Sequence, residues 1–176
     1  MSGIIEPLLD NYIEKLRKIR QNIKFNKLET LDIVVSKSKE LKDRIESLGN
    51  KGYIIYIMTV EDNVSLDELG KEKRKSKELH YSFPQVNEEH VSEDNKYLYV
   101  GSSLKISTRL RQHLFKCPKK TFSLRLNNWA KGRRVNIELY ETDTKDNMQL
   151  FEDLLWEEYK PMLGKRGSTG LNKIEI

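Results

Sequence analysis

Three side chains in the middle of the chain have types and spacing that suit chemistry on a phosphate group. Tyr99 ends a short apolar run, Arg109 follows ten residues later, and His113 follows four residues after Arg109. Residues 104–116 have helical periodicity, so Arg109 and His113 are i,i+4 neighbours on one helix face. A tyrosine near the end of a strand and an Arg/His pair on the next helix can therefore face the same phosphate.

Each of these side chains has a distinct use in chemistry on a phosphate group. The planar, permanently charged guanidinium of Arg109 can clamp two phosphate oxygens. His113 can hydrogen-bond the attacking water or a tyrosine hydroxyl, or share in proton transfer. A phenol with its ordinary pKa of about 10 is a poor base near neutral pH, so a tyrosine acting as base needs a nearby cation that lowers its pKa.

The spacing of these residues resembles the second half of the GIY-YIG nuclease signature. Tyr99-Val100-Gly101 corresponds to Tyr-Ile-Gly, and Arg109 and His113 stand at the offsets usual for the family. The stretch 151–161 resembles the family's Glu-x-x-Leu-Ile-x-x-Tyr-x-Pro pattern, in which Glu152 is the glutamate. The resemblance covers residues 52–172.

The first block of the signature corresponds to residues 52–58, with two differences from the family pattern. Ile54 stands where the family has glycine, and Gly52 comes two positions earlier, so the first tyrosine is Tyr56 or Tyr53. Tyr56 and Tyr99 are 43 positions apart, farther than is usual in the family, which implies an insertion between the blocks. Asn172 corresponds to the family's late asparagine.

The resemblance implies a divalent-metal-dependent endonuclease that hydrolyses DNA phosphodiester bonds, with a restriction or defence nuclease as the expected subclass. Glu152 would bind Mg²⁺ or Mn²⁺, Asn172 would support Glu152 or the backbone, and either tyrosine could be the base. Two other interpretations remain, a catalytically silent DNA-binding module on the same fold and a helical assembly protein. The expected catalytic residues are Tyr56, Tyr99, Arg109, His113, Glu152 and Asn172.

The basic residues are unevenly distributed along the chain. Residues 1–100 contain 17 Lys/Arg and 18 Asp/Glu, whereas residues 101–176 contain 15 and 9. The whole net charge of +5 therefore arises in the half with the Arg/His helix, which favours a polyanionic partner such as DNA. Candidate DNA contacts in that half are Lys116, Lys119, Lys120, Arg133, Arg134, Lys165 and Arg166.

The composition also excludes several other classes of protein and site. The one cysteine, Cys117, permits no intramolecular disulfide and favours a reducing, cytoplasmic location. No run of 18 apolar residues indicates a membrane span, and the polar N-terminus does not look like a signal peptide. His80, His90 and His113 are far apart and not paired with cysteine, so a structural zinc site is not expected.

The apolar pattern predicts an α+β protein. Helices are predicted over 5–24 and 28–48 as an N-terminal hairpin that could also serve as a homodimer interface, and further helices over 104–116, 122–130 and 146–159. Strands are predicted over 53–60, 97–100 and 135–140, so the family's small three-stranded sheet flanked by helices is expected. Residues 1–50 form a helical extension and residues 51–176 the nuclease-like domain, with a polar loop or inserted lobe at 61–95.

Overall fold

A computed structural model describes residues 24–50, 52–115 and 118–167 of the chain. The predicted helix over 5–24 lies outside the described residues, apart from residue 24, and so does this part of the predicted homodimer interface over 5–48. Lys116 and Asn172 lie outside them as well. None of the described helices is long and apolar enough to cross a membrane.

In the part of the chain that the structure describes, four antiparallel strands form one sheet, in the spatial order β1-β4-β2-β3. The strands are β1 (Phe25–Val34), β2 (Tyr53–Val60), β3 (Tyr97–Ser103) and β4 (Arg134–Thr142). The prediction of three strands is therefore wrong by one, whereas the α+β class is confirmed. Because β3 lies at one edge of the sheet, both of its faces and its open side can carry functional groups.

The additional strand, β1, forms where the sequence predicts the second helix of the hairpin. Leu31, Ile33 and Val35 are buried while the residues between them are exposed, which is the period of two expected for a strand with one buried face. Leu31 and Val35 also fit a helical stripe with Leu41 and Ile45, and this coincidence explains the wrong prediction. The helix α1 (Lys39–Ser47) begins only after Ser38, whose hydroxyl accepts a hydrogen bond from the Leu41 amide at 3.2 Å.

The segment between β2 and β3 contains a helix, which corrects the expectation of a loop at 61–95 and agrees with an inserted lobe. Helix α2 (Leu66–Glu78) begins with a capping box formed by Ser65 and Glu68. Leu69 on this helix is fully buried, and Phe83 and Val86 beyond it also join the core. A short 3₁₀ helix (Glu88–His90) precedes β3. The insertion is thus packed on the domain through its few apolar residues.

Three helices in the second half complete the fold. Helix α3 (Ile106–Leu114) follows β3, and α5 (Lys145–Tyr159) follows β4, both close to their predicted bounds. The helix predicted over 122–130 is reduced to one turn, α4 (Leu126–Trp129), because Arg125 adopts the left-handed conformation with φ 49° and ends the preceding loop. Helix α5 ends at Lys160, also left-handed, just before Pro161.

The pairing register decides which residues of β2 and β3 share a face of the sheet. Tyr56 pairs with Gly101, and Met58 pairs with Tyr99, so all four lie on one face. Ile55 pairs with Ser102 on the opposite face. The candidate tyrosines therefore share a face, and Ser102 points away from them.

Candidate active site

Four of the residues expected from the sequence form a single hydrogen-bonded cluster on the face that α3 covers. The Tyr56 hydroxyl lies 2.9 Å from His113 Nε2 and 3.1 Å from Arg109 Nε. Arg109 Nη2 is 3.4 Å from the Tyr99 hydroxyl. The i,i+4 spacing on α3 thus brings the Arg and His side chains to the two tyrosines of the central and edge strands.

Gly101 makes room for the two tyrosine rings. A Cβ atom at this position would lie 2.6 Å from the Tyr56 hydroxyl oxygen and 2.6 Å from Tyr99 Cε1. The ring centroids of Tyr56 and Tyr99 are 6.0 Å apart, with the rings close to parallel. The glycine of the Tyr-Val-Gly block is therefore required by close side-chain approach rather than by an unusual backbone angle.

The hydrogen bonds of His113 determine which ring nitrogen carries its proton. The Leu124 amide donates to Nδ1 at 3.1 Å, so Nδ1 is an acceptor. Burial, with a further contribution from Arg109, holds the pKa of His113 well below its ordinary value, so the ring is neutral and its hydrogen is on Nε2. Nε2 therefore donates to the Tyr56 hydroxyl, and His113 acts on Tyr56 rather than directly on a substrate.

The hydroxyl oxygen of Tyr56 accepts hydrogen bonds from both His113 and Arg109. Complete burial raises the pKa of Tyr56 well above its ordinary value, and Arg109 offsets this only in part. Arg109 therefore does not bring the pKa of Tyr56 below its ordinary value, and Tyr56 stays protonated. With two donors on its oxygen, Tyr56 directs its own proton away from His113 and Arg109, and its hydroxyl acts to lower the pKa of Tyr99.

Tyr99 is the more accessible of the two tyrosines. It is half-buried, whereas Tyr56 is fully buried. Burial raises the pKa of Tyr99, and Arg109 and Tyr56 offset this only in part. Both neighbours would stabilise a phenolate at Tyr99, so Tyr99 is the better placed of the two tyrosines to exchange a proton.

Arg109 is held in place by four hydrogen bonds. Besides the two tyrosines, Nη1 donates to the Phe122 carbonyl at 2.8 Å and to Gln112 Oε1 at 3.3 Å. A guanidinium has five N–H donors, so one Nη2 hydrogen remains without a partner among the described residues. Burial lowers the pKa of Arg109, but the two hydroxyls outweigh it and the net shift is upward, so the charge is permanent.

Glu152 on α5 approaches the cluster from the other face of the edge strand. Its Oε2 accepts a hydrogen bond from the Ser102 hydroxyl at 2.5 Å. Burial raises the pKa of Glu152 and Asp153 adds to this effect, whereas Ser102 and Arg109 lower it. Ser102 and Tyr99 lie on opposite faces of β3, so Glu152 and the tyrosine cluster flank the same edge strand.

The donor set for a metal ion at Glu152 is a single carboxylate. The described part of the chain contains no group of three or more His, Cys, Asp or Glu side chains that could hold an ion. Mg²⁺ keeps several waters and is commonly bound by one or two carboxylates together with substrate phosphates. The half-buried oxygen ligand at Glu152 therefore fits a substrate-assisted site for a hard divalent ion, and it does not fit a closed protein cage.

The remaining candidate residues are dispersed. Tyr53 is at the start of β2, where its carbonyl accepts from Thr142, and it does not join the cluster, so Tyr56 is the first-block tyrosine in the site. Several basic side chains predicted to bind DNA are instead in ion pairs with acidic neighbours. These pairs are Arg133 with Glu68, Arg134 with Asp32 and Glu61, and Arg166 with Glu157.

Lys119, Lys120 and Lys165 are exposed and remain candidate DNA contacts. Arg133 and Arg134 lie at the end of the sheet near Val60, because Val60 pairs with Val135 and Tyr56 pairs with Leu139. At about 3.4 Å per residue, Arg134 is about 17 Å along β4 from the position opposite Tyr56. Any nucleic acid that Arg133 and Arg134 contact would therefore lie well away from the tyrosine cluster.

Two functional features were not anticipated from the sequence. Ser102 orients Glu152, and the loop between α3 and α4 holds Arg109 and His113 through the backbone of Phe122 and Leu124. Ser102 directly follows the Tyr-Val-Gly block, and the alternation of a strand would have placed it on the face opposite Tyr99. The backbone contacts of the loop have no signal in residue type.

Residues 90–166 match the family model described as the GIY-YIG catalytic domain. The match confirms the resemblance on its second half, from the residues before β3 to those after α5. No curated protein and no solved structure matches the chain. The first block lies before the matched segment, and its assignment to β2 rests on the pairing of Tyr56 with Gly101.

Proposed function

Residues 90–166 belong to the GIY-YIG superfamily, and on that premise we propose that the protein is a divalent-metal-dependent endonuclease that hydrolyses DNA phosphodiester bonds. The observation that carries the proposal is the Arg109 guanidinium, which contacts both tyrosine hydroxyls, beside the strand residue Ser102 that holds Glu152. This arrangement collects a fixed positive charge, a proton-exchanging hydroxyl and a carboxylate around one edge strand. Phosphoryl transfer needs these three elements in proximity.

Arg109 would hold the scissile phosphate. Its other hydrogen bonds fix the plane of the guanidinium, and the remaining Nη2 hydrogen is available for a phosphate oxygen. The sequence suggested a clamp on two oxygens, whereas the bonds to Tyr56, Gln112 and Phe122 occupy Nε and Nη1. The contribution of Arg109 is therefore a positioned charge with one directed donor, and preorganised charge of this kind is a major source of catalysis.

Tyr99 would act as the general base in its phenolate form, after releasing its own hydroxyl proton to solvent. The phenolate would be stabilised by Arg109 Nη2 and by Tyr56, and it would become phenol again when it takes the proton from the attacking water. Tyr56 can donate in this way because its oxygen is already occupied by the hydrogens of His113 Nε2 and Arg109 Nε. His113 and Tyr56 thus set the direction of one hydroxyl hydrogen, and Tyr99 carries the chemistry.

Glu152, oriented by Ser102, would hold Mg²⁺ or Mn²⁺. When bound, such an ion supplies stabilisation of the charge on the phosphoryl group and on the leaving oxygen. Asn172 is proposed to support this carboxylate or the nearby backbone. A DNA substrate is supported by the basic second half of the chain and by the exposed Lys119 and Lys120 near the site.

A catalytically silent DNA-binding module is the second interpretation, since Ile54 replaces the family glycine of the first block. Ile54 is buried and joins Leu48, Ile106 and Leu139 around a small apolar cavity. The isoleucine thus occupies space between β2 and the adjoining helices, and the Tyr56 contacts are intact. This accommodation favours the nuclease over the silent module. A restriction or defence role is the biological context we propose for it.

The proposal is tested by incubating the protein with supercoiled plasmid DNA and Mg²⁺ or Mn²⁺, alongside Glu152→Gln and Arg109→Lys. Matched controls are Glu158→Gln, exposed on the same helix, and Arg111→Lys, exposed on α3. We expect the wild type and both controls to cut, and the two site variants to lose about a hundredfold or more of the rate. EDTA should abolish cutting in every case.

DNA binding by the wild type without cutting in either metal would contradict the nuclease and support the silent module. Equal activity of Glu152→Gln and Glu158→Gln would remove Glu152 from the site. A parallel incubation with single-stranded RNA decides the nucleic acid preference. Melting temperatures of all variants separate loss of chemistry from loss of fold.

A further inference from the structure

Phe122 is an exposed aromatic side chain beside the phosphate-binding arginine. It is 60% exposed, the highest value among the large apolar side chains of the described residues that are exposed. Its own backbone carbonyl accepts the 2.8 Å hydrogen bond from Arg109 Nη1. The phenyl ring is therefore attached one side-chain length from the guanidinium, in solvent.

Hydrogen bonds on both sides of Phe122 hold the loop that carries it, and one of them joins the loop to the active site. The Leu124 amide donates to His113 Nδ1 at 3.1 Å, two residues beyond Phe122. Arg125 Nη2 donates to the Pro118 carbonyl at 3.2 Å and so closes the loop on itself. Because both bonds flank Phe122 in sequence, its ring projects from a defined backbone.

The same loop is also held by the insertion between β2 and β3. The Ser82 amide donates to the Lys119 carbonyl at 2.7 Å, and the Arg125 guanidinium lies 4.3 Å from the centre of the Tyr81 ring. The Tyr81 hydroxyl in turn hydrogen-bonds Glu72, a buried carboxylate on α2. A buried polar network of this kind rigidifies what it contacts, so the exposure of Phe122 is maintained against hydrophobic collapse.

We propose that Phe122 stacks on a nucleobase adjacent to the phosphate held by Arg109. This inference rests on the proposed function and adds a base-binding element to it. Within a nucleotide, phosphate and base are separated by one sugar, and the loop offers the matching pair of a cation and a flat apolar ring. The exposed Lys119 and Lys120 on the same loop can contact flanking phosphates, a combination typical of nucleic-acid surfaces.

The base could come from a single strand, on which an aromatic ring serves as a stacking platform, or from a duplex step into which the ring wedges. In both cases the chemistry is aromatic stacking, which tolerates any base. Removal of the ring should therefore weaken binding without altering the number of phosphate contacts, and this distinguishes Phe122 from the lysines.

The test uses the full chain in EDTA, where binding is measured without cutting. Affinities for a fluorescein-labelled single strand and for the corresponding duplex are measured by anisotropy for wild type, Phe122→Ala, Phe122→Leu and Phe122→Trp. The matched control is Val34→Ala, which removes a 53% exposed apolar side chain at the end of β1. Strands containing 2-aminopurine report stacking directly through their fluorescence.

We expect Phe122→Ala and Phe122→Leu to weaken binding about 5- to 150-fold to at least one form of DNA, the range for one stacked base. Phe122→Trp and Val34→Ala should bind like the wild type. The slope of log affinity against log salt should be unchanged in Phe122→Ala, whereas Lys120→Ala should reduce it. Wild type should change the 2-aminopurine signal, and Phe122→Leu should not.

Wild-type affinity in Phe122→Leu, or a tryptophan variant as weak as the alanine variant, would overturn the stacking inference. Failure of the wild type to bind either form would overturn it as well. If Phe122→Ala loses affinity only for the single strand, the ring stacks on an unpaired base. If it loses affinity only for the duplex, the ring wedges into a base step. If wild type cuts plasmid but Phe122→Ala binds normally, the inference fails and the nuclease stands. If wild type binds without cutting and the variants rank as expected, the nuclease fails and the stacking site stands.

Discussion

Replacement of Gly101 by alanine should disrupt the active site and destabilise the fold through one methyl group. The added carbon would lie 2.6 Å from the Tyr56 hydroxyl oxygen, 2.8 Å from Tyr56 Cζ and 2.6 Å from Tyr99 Cε1. Gly101 is not among the glycines with positive φ, so alanine suits the backbone. Any loss of stability or activity in Gly101→Ala therefore arises from the lack of space between the two rings.

The magnitude follows from the size of the overlap. Carbon atoms in contact are separated by about 3.5–4.0 Å, so the rings must move by about 1 Å. Tyr56 is fully buried and cannot move outward freely, and overpacking of this kind costs about 1–3 kcal/mol of the free energy of unfolding. At about 2–4 °C per kcal/mol for a chain of this size, the melting temperature should fall by about 2–12 °C.

The catalytic loss should exceed the loss of stability. A displacement of about 1 Å in a positioned catalytic group can reduce the rate by about a hundredfold, and both hydroxyls move away from Arg109. The assay is plasmid cleavage under single-turnover conditions at a temperature where the variant is fully folded, with thermal unfolding followed by circular dichroism. DNA affinity should change little, since Arg109 and the surface lysines remain.

Gly70→Ala is the matched control for this substitution. Gly70 lies within α2, and its added Cβ would meet only the end of the flexible Arg74 side chain at 3.5 Å. Alanine in place of glycine inside a helix should stabilise by about 0.5–1 kcal/mol and leave cleavage unchanged. If Gly101→Ala cut at the wild-type rate with an unchanged melting temperature, the close packing of the two tyrosines over the glycine would be refuted.

Two further predictions concern buried polar groups. The free energy of unfolding of the wild type should fall as the pH drops below about 6.5, by up to about 1.4 kcal/mol per pH unit. The reason is that the unfolded chain protonates His113, whereas the folded chain, in which the pKa of His113 is lowered, does not. In urea unfolding from pH 8 to 5, His113→Gln should lack this pH dependence, and identical profiles for the variant and the wild type would contradict a buried neutral ring. Tyr81→Phe keeps the ring under Arg125 but removes the hydroxyl that donates to buried Glu72. The substitution should lower the free energy of unfolding by about 1–3 kcal/mol, and an unchanged urea midpoint would contradict the role of this hydrogen bond.

The sequence predicted the parts of the site that local periodicity controls. The i,i+4 spacing of Arg109 and His113 depends only on a helix following the Tyr-Val-Gly block, and both residues meet the same hydroxyl in the structure. The choice between Tyr53 and Tyr56 was not available in the sequence, because it depends on the register of β2 with β3. Pairing with Gly101 selects Tyr56.

The pKa values of the tyrosines depend on a property that residue types alone do not give. The sequence offered Arg109 as a cation that could lower a tyrosine pKa, whereas burial decides the net direction, and burial is a property of the whole sheet. Similarly, the prediction of a helix over residues 28–48 was wrong for the residues that form β1, because β4 provides them with a partner. Both outcomes depend on non-local contacts that a local pattern does not contain.

The insertion between the two signature blocks is the largest departure from the family pattern, and its contacts give it a structural purpose. Helix α2 and the following segment reach the loop after α3 through Ser82 and Tyr81. That loop supplies the carbonyl that orients Arg109 and the amide that fixes the tautomer of His113. A chain that inserts a segment before β3 thus uses it to brace the backbone behind its candidate phosphate-binding residue, because a fixed guanidinium requires fixed acceptors. The long separation of Tyr56 and Tyr99 in sequence is therefore compatible with a compact site, since the intervening residues pack beside the site and strand pairing alone brings the two rings together.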